Sequence, residues 1–69
     1  MDDFKLEKHE YVALCDLLKN MGLCQSGGEA KSLIAEGKVL VDGEVELRKR
    51  CKIRKGQLVE FNGQAISIT

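Results

Sequence analysis

The stretch that decides the fold is SGGEAKSLIAEGKVLVDGEVEL, residues 26–47, in which the period of the apolar side chains changes from helical to alternating. Ser26 and Glu29 have the spacing of a capping box, in which the serine oxygen accepts from the Glu29 amide and the glutamate reaches back to the amide of Ser26. The inner face of the helix that begins here is formed by Ala30, Leu33 and Ile34. Gly37 supplies the left-handed residue that ends it. This stretch predicts a helix that leads directly into a β-hairpin.

Two hairpins are predicted after Gly37. The first joins 39–41 to 44–47 through Asp42-Gly43, a dipeptide that readily adopts the positive φ values of a type I′ turn, so Leu40 should oppose Val45. The second joins 58–61 to 64–68 through Asn62-Gly63, an equally strong turn signal. One face of this second hairpin collects its large apolar residues, Val59, Phe61, Ile66 and Ile68.

A first helix is predicted ahead of Ser26, from about Tyr11 to Met21 with Gly22 as its end. Its apolar stripe recurs at i, i+3, i+4 and i+7 and consists of Leu14, Leu17, Leu18 and Met21. Because only a few residues join the two helices, they should pack as a pair. Within the N-terminal segment 1–10, Phe4 and Leu6 alternate around Lys5, which leaves open an edge strand or an irregular segment. The predicted class is α+β in one domain over residues 1–69, with two packed N-terminal helices followed by a small antiparallel sheet of two hairpins.

Composition excludes several classes of function. The 69-residue chain has zero formal net charge, one histidine and three cysteines with no C-x-x-C spacing, which indicates neither a disulfide framework nor a zinc site. A chain of this length has little room for an enclosed active-site pocket. We therefore expect no catalytic residues, no metal and no cofactor, and a protein that is not an enzyme. No apolar run approaches the roughly 20 residues that span a bilayer, and Asp2-Asp3 is unlike a secretory signal, which favours a cytoplasmic protein without a membrane partner.

Two single residues permit a functional and a structural interpretation. Cys24 lies just before the second helix, where a thiolate could be stabilised, although a free cysteine is more often a small buried hydrophobe. His9 stands among charged residues and has no ligand partner in sequence, so it is interpreted as solvated.

The positive charge is concentrated in residues 48–55, hereafter the basic segment. It holds six cations and no carboxylate: Arg48, Lys49, Arg50, Lys52, Arg54 and Lys55. If the segment is extended, Arg48, Arg50, Lys52 and Arg54 form one outward row while Cys51 and Ile53 face inward. Such a row suits a polyanion, since each cation meets a separate phosphate and releases its counterions. The sequence leaves open whether the segment is a strand, a mobile loop or only a solvated charge run.

The opening of the second helix is another candidate anion site. Gly27 and Gly28 let a bulky backbone approach the free amides of the first turn, with Lys31 on the same face and Lys38 just past the helix end. It is neither a Walker A loop nor a G-x-G-x-x-G turn, which argues against nucleotide hydrolysis. The alternative is that the glycines only relieve crowding at the cap and the lysines are solvated. When the helix opening is considered together with the basic segment, a binding site is favoured over this alternative.

The order of these motifs resembles the S-four type, or αL, RNA-binding domain family, and within it the stand-alone YbcJ-like branch. The resemblance rests on the spacing from Leu14 to Leu23, on 26–45, on 56–61 and, most specifically, on the Arg-Lys-Arg-Cys-Lys-Ile string that opens the basic segment. It implies that the helix pair and the adjoining hairpin face structured RNA, with the first turn of the second helix at the centre. Carried over by position, the implied contacts outside the basic segment are Gln25, Ser26, Gly27, Gly28, Lys31 and Lys38.

At two positions this chain lacks an arginine that many members of the family carry. Many members carry an arginine right after the capping serine, where this chain has Gly27, and another near the start of the first helix, where this chain has Ala13. Both changes move more of the expected binding onto the basic segment.

The kind of partner is also constrained. Only three residues are aromatic, and Phe61 is assigned to the core, so we expect no stacking platform for unpaired bases. Contacts should instead go to phosphates and riboses of structured RNA, with ribosomal or transfer RNA favoured.

A second hypothesis is a protein-interaction subunit of a larger ribonucleoprotein or ribosome-associated complex. Residues 1–30 carry three basic and six acidic side chains, whereas residues 31–69 carry eight and five. This asymmetry would let the acidic first third dock a protein partner while the rest faces RNA.

Overall fold

The computed structural model describes residues 2–69, in which two short helices pack against strands. The helices are α1 (Leu14–Asn20) and α2 (Gly27–Ala35). The strands are β1 (Asp2–Phe4), β2 (Val12–Ala13), β3 (Val39–Val41), β4 (Glu44–Val45), β5 (Lys52–Ile53), β6 (Leu58–Phe61) and β7 (Gln64–Ile68).

Both predicted hairpins are present with the predicted turns. β3 and β4 are joined by Asp42 and Gly43 at φ values of 52° and 85°, and Leu40 lies opposite Val45. β6 and β7 are joined by Asn62 and Gly63, which also have positive φ. These local signals were sufficient because a type I′ turn needs two residues that tolerate positive φ, and few dipeptides do.

The prediction of one small antiparallel sheet made of two hairpins is confirmed only in part. β3 pairs with β6, so the hairpins merge into one five-stranded sheet of order β1-β7-β6-β3-β4. β1 adds parallel to β7, so the sheet includes a strand from before the helices. This pairing covers the outer edge of β7, which would otherwise present unpaired backbone groups, and Phe4 packs against the core. The N-terminal segment, for which the sequence left a strand open, contributes an edge strand at Asp2–Phe4, and Lys5 and Leu6 lie outside it.

The first helix begins at Leu14 and not at Tyr11. Val12 and Ala13 instead pair with Ile53 and Lys52 in a separate two-stranded sheet, β2-β5. The amides of Leu14 and Cys15 then donate to the carbonyl oxygens of Cys51 and Lys49, at 2.9 and 3.1 Å. Ala13 offers no capping side chain, so backbone from the basic segment satisfies amides that a helix start leaves unpaired.

The second helix begins and ends as predicted. The Glu29 amide donates to Ser26 Oγ at 3.2 Å, which confirms the serine cap. The reciprocal bond is displaced by one residue, since Glu29 Oε1 accepts from the amide of Gln25 at 3.4 Å and not from that of Ser26. Gly37, at φ +80°, follows the last turn.

The core lies between the helix pair and the sheet. α1 contributes the fully buried Leu14, Leu17 and Leu18, and α2 contributes Ala30 and Ile34. The other side is built from strand residues, Val39, Val41, Ile53, Val59, Ile66 and Ile68. Phe61, predicted to be in the core, is half-buried against it. Ile53 matters most for the site, because it ties the basic segment to this core.

Cys24 is a buried hydrophobe. Its side chain is 5% exposed, and burial, followed by the charge of Glu29, raises the pKa of the thiol. Burial and a raised pKa both disfavour the thiolate at neutral pH, which supports the structural interpretation of Cys24. His9 is exposed, in agreement with a solvated histidine.

Candidate nucleic-acid interface

The basic segment consists of two turns around the short strand β5. The Cys51 amide donates to the Arg48 carbonyl at 3.2 Å, and the Gln57 amide donates to the Arg54 carbonyl, also at 3.2 Å. Strand geometry in the segment is limited to Lys52–Ile53. The condition for one continuous row of Arg48, Arg50, Lys52 and Arg54, an extended segment, is therefore not met. The first turn brings the carbonyls of Lys49 and Cys51 to the two adjacent amides at the start of α1. The alternation of residues within the segment cannot predict these hydrogen bonds, because they involve a distant part of the chain.

The inward anchors of the segment are those predicted. Ile53 is fully buried and Cys51 is half-buried. Together with the two backbone bonds to α1, they hold the segment on the body of the domain. The cations are therefore presented from an ordered base and not from a freely moving loop.

Arg48 is already paired within the chain. Its Nε lies 3.0 Å from Glu46 Oε2 and its Nη2 lies 3.1 Å from Oε1, while its amide also donates to Oε2 at 2.9 Å. The side-chain bond from Arg48, followed by the backbone bond, lowers the pKa of Glu46 from 4.5 to about 2. Part of the charge of Arg48 is thus neutralised before any partner binds.

This pairing predicts an acid-sensitive contribution to stability. Because the folded-state pKa of Glu46 is depressed, its contribution is present above pH 4.5 and is lost as the pH falls towards 2. Urea unfolding midpoints measured from pH 6 to pH 2 should fall less steeply below pH 4.5 in Glu46→Gln than in the unchanged protein. Parallel curves for the two proteins would show that the pair contributes nothing to folding.

The other five cations of the segment form no salt bridge within the described residues. Within residues 2–69 no carboxylate lies within 4 Å of them, and all five side chains are exposed: Lys49, Arg50, Lys52, Arg54 and Lys55. The available positive charge of the segment therefore lies after Arg48.

Tyr11 lies beneath two of these cations and was missed by sequence reasoning. Lys52 Nζ is 5.1 Å and Arg54 Cζ is 5.6 Å from the centroid of its ring, both within cation–π distance. In β2-β5, Ala13 opposes Lys52, so Tyr11 continues this outward face opposite Arg54. The sequence pattern placed Tyr11 in a helix, and only the pairing of distant segments reveals its position.

The glycines that open α2 are not explained by crowding. A Cβ added at Gly27 would meet nothing within 4 Å, and one at Gly28 would meet only Ser26 Oγ, at 3.8 Å. Neither residue has the positive φ that would require glycine. Since internal packing does not demand a bare backbone here, the structural alternative loses support.

The remaining predicted contacts do not form one patch with the basic segment. Gln25 and Ser26 are exposed and follow the C-terminal end of α1, whereas the basic segment is bonded to its N-terminal end. Lys31 is half-buried on α2. Lys38 is paired with Glu36 at 3.3 Å and lines a shallow depression beside Phe61. The seven residues of α1, about 10 Å long, separate the first two groups.

Two further kinds of feature, a metal site and a membrane-spanning helix, have no counterpart within residues 2–69. Within residues 2–69 no three His, Cys, Asp or Glu side chains are grouped to hold a metal ion. None of the helices in this range has the length and apolar character needed to cross a membrane.

The structure is a small α+β domain in which a helix pair packs on a sheet. Exposed cations lie beside the start of α1, and such a surface suits an anionic partner. The S4 domain family model matches residues 4–69, and the chain belongs to this family. The resemblance found in the sequence is thereby confirmed.

Two curated relatives and one solved structure are similar to the chain. YbcJ of Escherichia coli (strain K12) is 56% identical over 68 residues, covering 99% of this chain and 97% of YbcJ. RlbA of Bacillus subtilis (strain 168), named a probable ribosome maturation protein, is 39% identical over 54 residues, covering 78% of this chain and 76% of RlbA. The solution structure of E. coli YbcJ, described as revealing an αL motif involved in RNA-binding, matches with a TM-score of 0.77 and 55% identity, covering 100% of this chain and 87% of that chain. The α+β class and the αL motif are confirmed.

Proposed function

We propose that this protein is a non-catalytic RNA-binding protein that contacts phosphates of structured RNA through the basic segment and the opening of α2. The observation that carries the proposal is a set of five exposed cations that form no salt bridge within residues 2–69. They are held on an ordered base by Ile53 and by the first amides of α1. Cations without carboxylate neighbours are free to neutralise phosphates, and the counterions condensed on the RNA are then released, which drives binding.

The opening of α2 supplies a second kind of phosphate contact. The first amides of a helix and its dipole favour anions, and the unfilled space at Gly27 and Gly28 admits a sugar-phosphate backbone. Because this turn lies beyond the other end of α1, an RNA that touches both groups must span at least about 10 Å and is more than a single phosphate. Lys31 and Lys38 would extend the contact along α2.

The RNA proposed is ribosomal or transfer RNA, bound in the cytoplasm. The named role of RlbA in ribosome maturation and the αL motif of YbcJ support an RNA that is structured. Recognition would rest on phosphates and riboses, so sequence selectivity of the isolated protein should be low.

A second candidate function is a protein-interaction subunit of a larger ribonucleoprotein complex. Its support is a pair of large apolar side chains left at the surface, Val45 and Leu47, which are 55% and 59% exposed next to Gly37. A bound protein that survives nuclease treatment and is released by Val45→Ser/Leu47→Ser would favour this function; release by nuclease alone would not.

The proposed function is tested by titrating a stable RNA hairpin at several salt concentrations. If about four phosphates are neutralised, the affinity should fall roughly 50-fold between 50 and 200 mM salt. This fall corresponds to a slope near −0.7 per phosphate when the logarithm of the affinity is plotted against the logarithm of the salt concentration. A DNA hairpin of matching sequence is the control, since its wider major groove and missing 2′-hydroxyls present a different surface. Absence of RNA binding by the folded protein, or equal affinity for both hairpins, would overturn the proposal.

A further inference from the structure

We propose that Tyr11, with Lys52 and Arg54 beside it, is a site for one unpaired nucleotide of the bound RNA. The base stacks on the tyrosine ring and the two cations hold its flanking phosphates. This inference rests on the proposed function and narrows it, because the preferred target becomes a structured RNA with an unpaired nucleotide at a bulge, loop or end.

The first argument is the exposure of the ring. Tyr11 is 42% exposed, and it is the aromatic member of the three large apolar side chains that the described residues leave at the surface. The core does not need it, because Val12 and the fully buried Ile53 occupy the inward face of the β2-β5 pair. An aromatic ring that remains at a cationic surface is the arrangement by which proteins bind unpaired bases.

The second argument is the space beside the ring. Tyr11 lines an open groove of about 740 Å³ between the N-terminal segment and α1, bordered by Asp16, Asn20 and Arg50. This volume is within the range of sites for small organic ligands. The groove is therefore wide enough to admit a base that is turned out of a helix.

The third argument is the positive charge around the ring. Lys52 and Arg54 lie over it at 5.1 and 5.6 Å. The groove beside it is lined by more cations than carboxylates, with Glu10 and Asp16 outnumbered by Lys5, Lys8, Lys19 and Arg50. Phosphates that flank a stacked base are attracted to this net positive charge.

This site is smaller than the stacking platforms of other RNA-binding folds. The sequence predicted no such platform, and one ring supports only one base. The cation–π contacts also hold Lys52 and Arg54 in position before RNA arrives, so the same ring would order the phosphate contacts.

The experiment compares two RNA hairpins with the same stem, one of which carries a single-nucleotide bulge. The unchanged protein should bind the bulged hairpin roughly 10-fold more tightly, as expected for one base stacked on an aromatic ring. Tyr11→Leu should lose this preference, because its affinity for the bulged hairpin falls by more than its affinity for the plain stem, and Tyr11→Phe should retain the preference. Circular dichroism checks that each variant is folded.

Tyrosine fluorescence gives a direct second readout. The chain has one tyrosine and no tryptophan, so its emission reports Tyr11 alone. Emission should be quenched by the bulged hairpin and much less by the plain stem. Quenching by millimolar adenosine monophosphate equal to that by the bulged hairpin would point to a free-nucleotide site and would overturn the inference.

The possible failures are distinguishable. Equal affinity for the two hairpins in the unchanged protein, or a preference that survives in Tyr11→Leu, overturns the nucleotide site and leaves phosphate binding standing. If neither hairpin binds to the folded protein, the proposed function fails, and the nucleotide site fails with it.

Discussion

Replacing Arg50, Lys52 and Arg54 together by glutamine is expected to weaken binding to a structured RNA roughly 100-fold at 100 mM salt. Each of these cations is exposed and has no carboxylate partner in the described chain. A phosphate contact contributes about 0.7 to the salt slope, or about fivefold in affinity at this salt concentration, and three contacts multiply. Fluorescence anisotropy with a labelled hairpin measures the loss, and the slope itself should decrease by about 2.

Arg48→Gln is the matched control for this experiment. It removes the same unit of charge from the same segment, but Glu46 already holds this guanidinium through two hydrogen bonds. We expect its effect on affinity to be smaller than that of Arg54→Gln made alone. If the two single variants lose equal affinity, total charge and not the internal pairing governs binding. If the triple variant binds normally while folded, the basic segment is not the RNA contact.

Ile53→Ala is expected to lower the free energy of unfolding by about 2–4 kcal/mol. The side chain is fully buried, and its loss leaves a cavity where the basic segment is tied to the core. A domain of this length has about 3–10 kcal/mol of stability in total, so a large share of the protein would unfold at moderate urea concentrations. Urea denaturation followed by circular dichroism measures the change.

Two further variants calibrate this result. Ile53→Val removes one methylene and should cost about 0.5–1.5 kcal/mol. Val45→Ala changes an exposed side chain and should alter stability by no more than about 0.5 kcal/mol. An Ile53→Ala cost as small as that of Val45→Ala would show that the segment is not anchored through this residue. In the folded fraction of Ile53→Ala, weaker RNA binding is expected because the cations lose their ordered base.

The parts of the fold that the sequence predicted are those specified by neighbouring residues. The cap at Ser26, the end at Gly37 and the two-residue turns each depend on the conformational preferences of one or two residues. The register of Leu40 against Val45 follows from such a turn, because a two-residue loop leaves one pairing.

The parts that the sequence did not predict depend on partners far along the chain. The start of α1 is set by carbonyls of Lys49 and Cys51, more than 30 residues away from the amides they accept from. The apolar stripe around Leu14 continues naturally towards Tyr11, and no local signal stops it. In the same way, the parallel pairing of β1 with β7 joins the two ends of the described chain.

The same distinction, between features set by neighbouring residues and features set by distant ones, applies to the candidate site. By itself the sequence determined which residues carry the charge, that Ile53 and Cys51 turn inward, and that the helix opening at Gly27 lacks side chains. Only the tertiary structure decided which cations are available, since it pairs Arg48 with Glu46, and which aromatic ring they surround, since β2-β5 brings Tyr11 to Lys52 and Arg54. The reason is physical: composition and turn chemistry are properties of single residues and their neighbours, whereas pairing and burial are settled only when distant segments pack together.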